Sequence, residues 1–135
     1  MAEHDIATAS RVRINSDGNE LGLFKSSGVI ISTGTGSSGW LYSAKQMIPV
    51  KVSTIMSAIG ASTQSRQLNE RISRDISAST IFAKDADHFY YFVREGFSNT
   101  KRTEGTSRDL VITSEMLTGE CVIDGWLPIK LSLGE

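Results

Sequence analysis

Between Ser26 and Ala44 the chain reads SSGVIISTGTGSSGWLYSA, and no other stretch limits the fold as tightly. Val29-Ile30-Ile31 is a short β-branched run of the kind that fills a buried strand. The strand pattern cannot continue past Ser32, because Gly34, Gly36 and Gly39 interrupt a series of hydroxyl residues that ends at Trp40. A buried strand therefore opens here into a loop rich in glycine and hydroxyls. Such strand ends are common places to hold a ribose, an adenine edge or a phosphate, since glycine lets a ligand approach the main chain. Read from its residues alone, Thr33 to Trp40 is either a ligand loop or a structural turn.

The sequence on either side of this loop has two different periods. Arg11-Val12-Arg13-Ile14 alternates as a half-exposed strand, Asp17-Gly18 makes a hairpin tip, and Leu21, Leu23 and Phe24 return as a second strand. After the loop the spacing becomes helical. Trp40 to Met47 predicts a short helix with Ser37 or Ser38 as its N-cap, interrupted at Pro49. Val50 to Ala61 predicts a second helix through Val52, Ile55, Met56 and Ile59. Gln67 to Ala78 predicts a third, with Leu68, Ile72 and Ile76 as its packing stripe.

Beyond Ser79 strands return. Thr80–Ala83 is a short one, and His88–Val93 carries apolar residues on both sides, which predicts burial on both faces or at a subunit contact. Residues 95–108 read as a loop or ragged hairpin. Leu110–Thr113, Gly119–Asp124 and Leu127–Leu133 close the chain as three strands, the last alternating strictly and so predicting one buried face. The expected fold is a single mainly β (α+β) domain over residues 1–135, with a helical insertion around residues 50–78.

Composition narrows the function classes. With 39% apolar residues in 135 the chain can bury a core, and a net charge of −1 offers no footprint for nucleic acid or a membrane surface. Cys121 is the single cysteine, so no intrachain disulfide forms and a reducing, intracellular setting is expected. Its neighbours Val122 and Ile123 predict a buried, inert thiol. His4 and His88 stand far apart with no ligand-spaced partner, which speaks against a metal site. There is no G-x-S-x-G elbow, and no lysine follows the last glycine of the loop as a P-loop requires. Gly34, Gly36 and Gly39 match the spacing of the dinucleotide fingerprint, but no βαβ unit follows them.

The residue order of Ser32-Thr33-Gly34-Thr35-Gly36-Ser37-Ser38-Gly39-Trp40, after the strand Gly28–Ile31, resembles the second signature of the NAD kinases. In most of that family the stretch reads Ser-Thr-Pro-Thr-Gly-Ser-Thr-Ala-Tyr. With Gly34 for the proline, Trp40 for the tyrosine and Ser26-Ser27-Gly28 ahead, it looks most like the mitochondrial NAD kinase branch and related bacterial proteins. Ser10–Ile14, the Asp17-Gly18 turn, Val93-Arg94-Glu95 and Cys121–Gly125 fall in the family's order.

The resemblance implies the C-terminal, β-sandwich domain of an ATP-dependent NAD kinase. The parent reaction moves the γ-phosphoryl group of ATP-Mg to the 2′-hydroxyl of the adenosine ribose of NAD, giving NADP. The catalytic Asp of the family's Gly-Gly-Asp-Gly motif belongs to an N-terminal α/β domain, and this chain carries no such motif. The resemblance thus assigns no catalytic residue here and implies that the isolated chain is inactive. The family's Asn-Glu pair should fall just before residue 1; Leu68-Asn69-Glu70 reads as coincidence. Position by position, Thr33, Thr35, Gly36, Ser38, Gly39, Trp40 and Ser43 are implied to contact the adenine and ribose of NAD or NADP. Ser27 stands where many members have a substrate-binding Asp. The family also implies a homodimer, here expected through Phe89–Val93, and a cytoplasmic or mitochondrial location. A different class remains open: a non-catalytic β-sandwich that binds a nucleotide or only self-assembles.

Overall fold

The computed structural model describes residues 9–61, 65–96 and 102–135. They form two compact units: one runs to Ile31 and resumes from Asp87 to Glu135, and the other spans Ser32–Ala86. The architecture is α+β, with small antiparallel sheets and a helical segment in the middle of the chain.

In the first unit β1 (Ser10–Ser16) is the middle strand of a sheet, between β2 (Asn19–Ser26) and β6 (Leu110–Ser114). The alternation of Arg11 to Ile14 sets its register. Val12 faces Phe24 across β2, and Ile14 faces Ile112 across β6. Val12, Ile14 and Phe24 are buried together on one side. On the other side Arg13 pairs with Glu115 and, more weakly, with Glu20, which holds its guanidinium above its ordinary pKa. Asp17 and Gly18 both take positive φ, as the expected hairpin tip requires.

The second sheet runs β3 (Gly28–Ser32), β4 (Phe89–Arg94), β5 (Glu104–Ser107). Val93 from β4 joins the buried cluster of the first sheet, with Val29 packed against it. Tyr91 is fully buried directly opposite Gly105, where a Cβ would meet its hydroxyl at 2.9 Å; the glycine makes room for the phenol. Burial pushes that phenol above its usual pKa. Only Tyr91 and Val93 of β4 are buried, while Tyr90 and Phe92 are half-buried and Phe89 is exposed, so the expected burial of both faces does not hold. Within the stretch read as a loop or ragged hairpin, β5 is a strand that pairs antiparallel with β4, as the hairpin alternative has it; residues 97–101 lie outside the described residues.

The hairpin β7 (Gly119–Ile123) and β8 (Leu127–Leu131) forms a sheet of its own. Here two expectations fail together. Ile129 and Leu127 are exposed on the face expected to be buried, and Cys121, opposite Ile129, is exposed as well. Neither sheet of three strands covers this hairpin. Asp124-Gly125 is its turn, with positive φ at both residues.

The second unit holds α1 (Trp40–Lys45), α2 (Pro49–Ala58) and α3 (Arg66–Ala78). Pro49 occupies the first turn of α2, where its missing N–H costs nothing. The helix ends before Ala61, at a turn with Gly60 in positive φ. Ser65 caps α3 by accepting from the Leu68 N–H at 3.3 Å. The buried face of α3 is Asn69, Ser73 and Ser77, not the predicted stripe; Leu68 and Ile76 are exposed and Ile72 is half-buried. Small hydroxyl residues let the helix lie against the backbone at Met47. Ser73 Oγ donates to the Met47 carbonyl, and the Met47 N–H donates to Ser77 Oγ at 3.0 Å. Those bonds satisfy a peptide that no strand or helix could. The expected strand at Thr80–Ala83 is absent. Thr80 Oγ1 donates back to Ser77 at 2.8 Å and the Phe82 N–H is taken by Ser37, so the segment is held by hydroxyls rather than a neighbouring strand.

No helix among the described residues is long and apolar enough to cross a membrane.

Candidate functional site

The loop after β3 divides into an inward and an outward set. Ser32, Gly34, Ser37 and Leu41 are buried, whereas Thr33, Thr35, Gly36, Ser38, Gly39, Trp40 and Ser43 are exposed. Every one of the seven loop residues assigned to NAD by resemblance therefore lies on the accessible side. Ser27, the eighth, belongs to the first unit, where its N–H and hydroxyl both donate to the Arg94 carbonyl at 3.1 and 3.4 Å.

The inward set fixes the loop. Thr35–Ser38 winds as a 3-10 turn, in which Ser37 Oγ donates to the Gly34 carbonyl at 2.7 Å and accepts the Phe82 N–H at 3.2 Å. Its hydroxyl is thus committed, and Gly39 rather than Ser37 or Ser38 precedes α1, with no side-chain cap. Gly34 lies flat under Ala83: a Cβ there would overlap the Ala83 carbonyl and sit 2.9 Å from Lys84 Cα. Ser32 Oγ donates to the Thr33 carbonyl at 2.9 Å.

The chemistry the loop can offer follows from which groups remain. The Gly36 N–H donates to Thr33 Oγ1, the Ser37 N–H to Gly34, and the Gly39 N–H to Gly36. A phosphate cradle needs convergent amides, and these three are already spent within the loop. The outward side instead presents hydroxyls and an indole that is 65% exposed, a surface suited to a sugar and a flat base. Residues 33–43 include no carboxylate.

A polar groove of about 540 Å³ lies elsewhere, in the first unit, lined by Asp17, Asp87, His88, Thr106, Ser107 and Arg108. None of these belongs to the predicted site, and spacings of some ninety residues hide the cluster from sequence reading. Its charges are largely answered from within. Asp17 accepts the Arg108 and Asp109 N–H groups at 2.9 Å each, clasping the β1–β2 turn to the β5–β6 turn. Arg108 pairs with Asp87 at 2.8 Å, and His88 Nδ1 stands 3.5 Å from the same carboxylate. We read the groove as the mouth of this clasp.

The two backbone N–H groups, Asp109 first, hold the Asp17 carboxyl below its ordinary pKa. A depressed carboxylate stabilises the fold above the unfolded-state pKa, and that contribution is lost as pH falls through the folded value. Asp17→Asn keeps an oxygen acceptor but cannot titrate. Its melting temperature should therefore fall less than that of the wild type as pH drops below about 4, a difference that thermal melts across the acid limb will detect.

Among the described residues no group of three His, Cys, Asp or Glu side chains is placed to hold a metal ion. Neither a family model nor a curated protein sequence matches this chain.

Proposed function

We propose that this chain is the nucleotide-holding domain of an NAD kinase-type enzyme. In this reading the two three-stranded sheets are the family's β-sandwich, and the outward side of Thr33–Ser43 receives the adenosine half of NAD or NADP. Trp40 stacks on adenine, while Thr35, Ser38 and Ser43 meet the ribose and the base edge. The catalytic Asp and the site for ATP-Mg come from an α/β domain of the same enzyme, in an intracellular setting. Phosphoryl transfer depends on positioning, and positioning is what this segment supplies.

One observation supports the reading: the buried positions of the loop are Ser32, Gly34 and Ser37, and the residues of the resemblance are exposed on its outward side. Ser27 sits outside this account, because its hydroxyl is engaged with Arg94.

Calorimetric titration with NAD tests it. Base stacking on an aromatic is worth about 1–3 kcal/mol by alanine substitution, so Trp40→Ala should weaken binding by roughly 5- to 150-fold. Thr35→Val should weaken it less, through one lost hydrogen bond. Heat of binding that is absent in the wild type, or unchanged in Trp40→Ala, defeats the proposal.

A further inference from the structure

The helical unit leaves apolar side chains exposed on two of its helices, and the charge around them is mostly positive. Val52 is the buried residue of α2, with Met56 half-buried one turn further on. Lys51, Ile55 and Ile59 follow at four-residue steps and so share a flank next to that packed face. Ile55 is 50% exposed and Ile59, at the end of the helix, 70%. α3, which packs on α2, repeats the arrangement with Leu68 and Ile76, two turns apart and both exposed. From Gln46 to Ser65 the only charged residue is Lys51.

The net charge of the whole chain conceals how unevenly that charge is divided. Of 14 lysines and arginines and 15 acids, six bases but only three acids fall in Ser32–Ala86. Two of those acids are taken within α3, Glu70 by Arg66 at 2.8 Å and Asp75 by Arg71 at 3.8 Å. Lys51, Arg74 and Lys84 are exposed and have no ion-pair partner among the described residues. Exposed isoleucines beside unpaired bases suit a lipid surface of negative charge. Acyl chains take the apolar side chains, while the lysine stem reaches back to the headgroups. We infer that the helical unit docks on an anionic membrane surface, with Ile55 and Ile59 entering the headgroup boundary and Lys51 held at the lipid phosphates. An acidic protein would answer the charge but would need a surface shaped to the two isoleucines, and a fluid bilayer needs none. Nucleic acid would answer the charge and leave the isoleucines uncovered. Such docking is peripheral: α2 has ten residues and lies on the surface rather than crossing it. It uses none of Thr33–Trp40 and is independent of nucleotide binding.

Co-flotation of the full chain with vesicles tests this. Phosphatidylcholine vesicles with about one-third phosphatidylserine should carry the protein, and pure phosphatidylcholine should carry several-fold less. Salt of about 1 M should release it. Lys51→Gln should lower partitioning by roughly 5-fold, and Ile55→Asp by at least about tenfold. Both side chains are exposed, so both variants should melt with the wild type. Trp126→Ala, at a residue 88% exposed in the C-terminal hairpin, should float as the wild type does, which separates this docking from general stickiness. A chain that floats with neither vesicle, or equally with both, overturns the assignment, as does undiminished flotation of Ile55→Asp. Retention on immobilised polyglutamate or duplex DNA without flotation would give the charge to an acidic protein or to nucleic acid, and overturns it too.

Discussion

Gly34→Ala should be the most damaging single-methyl substitution in the helical unit, lowering stability by on the order of 3 kcal/mol. For a chain of this size that corresponds to a fall of roughly 10 °C in melting temperature. The reason lies outside the loop. Gly34 has φ −56° and ψ −39°, a conformation open to any residue and to proline in particular. What forbids a side chain is the backbone of Ala83 and Lys84, which crosses where the Cβ would be. Backbone cannot step aside as the end of a long side chain can. Gly36→Ala is the control: its Cβ would lie 3.1 Å from Ser32 Oγ, a hydroxyl able to shift by a few tenths of an ångström. It should cost less than about 1 kcal/mol. Equal melting temperatures for Gly34→Ala and the wild type would remove the Ala83 segment from its place over the loop. The same contact would exclude a proline, the residue that the NAD kinase signature has at the place resembled by Gly34. A proline carries a Cβ too, so the family's proline and this crossing segment exclude each other.

What sequence could and could not foretell follows from the range of the forces involved. Alternation in Arg11–Ile14 and the turn at Asp17-Gly18 are local, and β1 and β2 form as those patterns require. Helix α3 is also local in origin, with Ser65 at its start and four-residue spacing along it. Which face of α3 packs is not local. Leu68, Ile72 and Ile76 look like the inner stripe by hydropathy, yet Ser73 and Ser77 win because the Met47 peptide needs partners and small residues allow close approach. β5 was only half legible for a similar reason: Glu104-Gly105-Thr106-Ser107 has little strand propensity, so sequence left a loop and a ragged hairpin both open, and pairing with β4 makes it the hairpin strand. The C-terminal hairpin is the instructive reversal. Its alternation is legible and its strands form, but the face that alternation marks for burial is exposed, and Cys121 with it. Pattern tells which face is written for contact, not what will cover it.

In the loop itself, resemblance pointed to the outward residues and passed over the one that holds them. Ser37→Ala should cost about 1–3 kcal/mol, because Ser37 is fully buried and its hydroxyl is both donor to Gly34 and acceptor for the Phe82 N–H. Removing it leaves an amide without that acceptor, a larger penalty than losing an exposed hydrogen bond. Thr35→Val and Ser38→Ala, on the exposed side, should change stability by no more than about 0.5 kcal/mol. Ligand affinity should show the opposite order. Below the melting temperature of each variant, Ser37→Ala should bind NAD within a few-fold of the wild type, since its side chain faces away from the ligand, whereas Thr35→Val should lose affinity without losing stability. Paired thermal melts and titrations on the three variants measure both columns of this comparison. If Ser37→Ala abolished binding while melting like the wild type, Ser37 would be a ligand contact and the inward and outward division of the loop would be wrong. If Thr35→Val melted early and bound normally, the outward hydroxyls would be scaffold, and Thr33 to Trp40 would be the structural turn that its residues alone also allow.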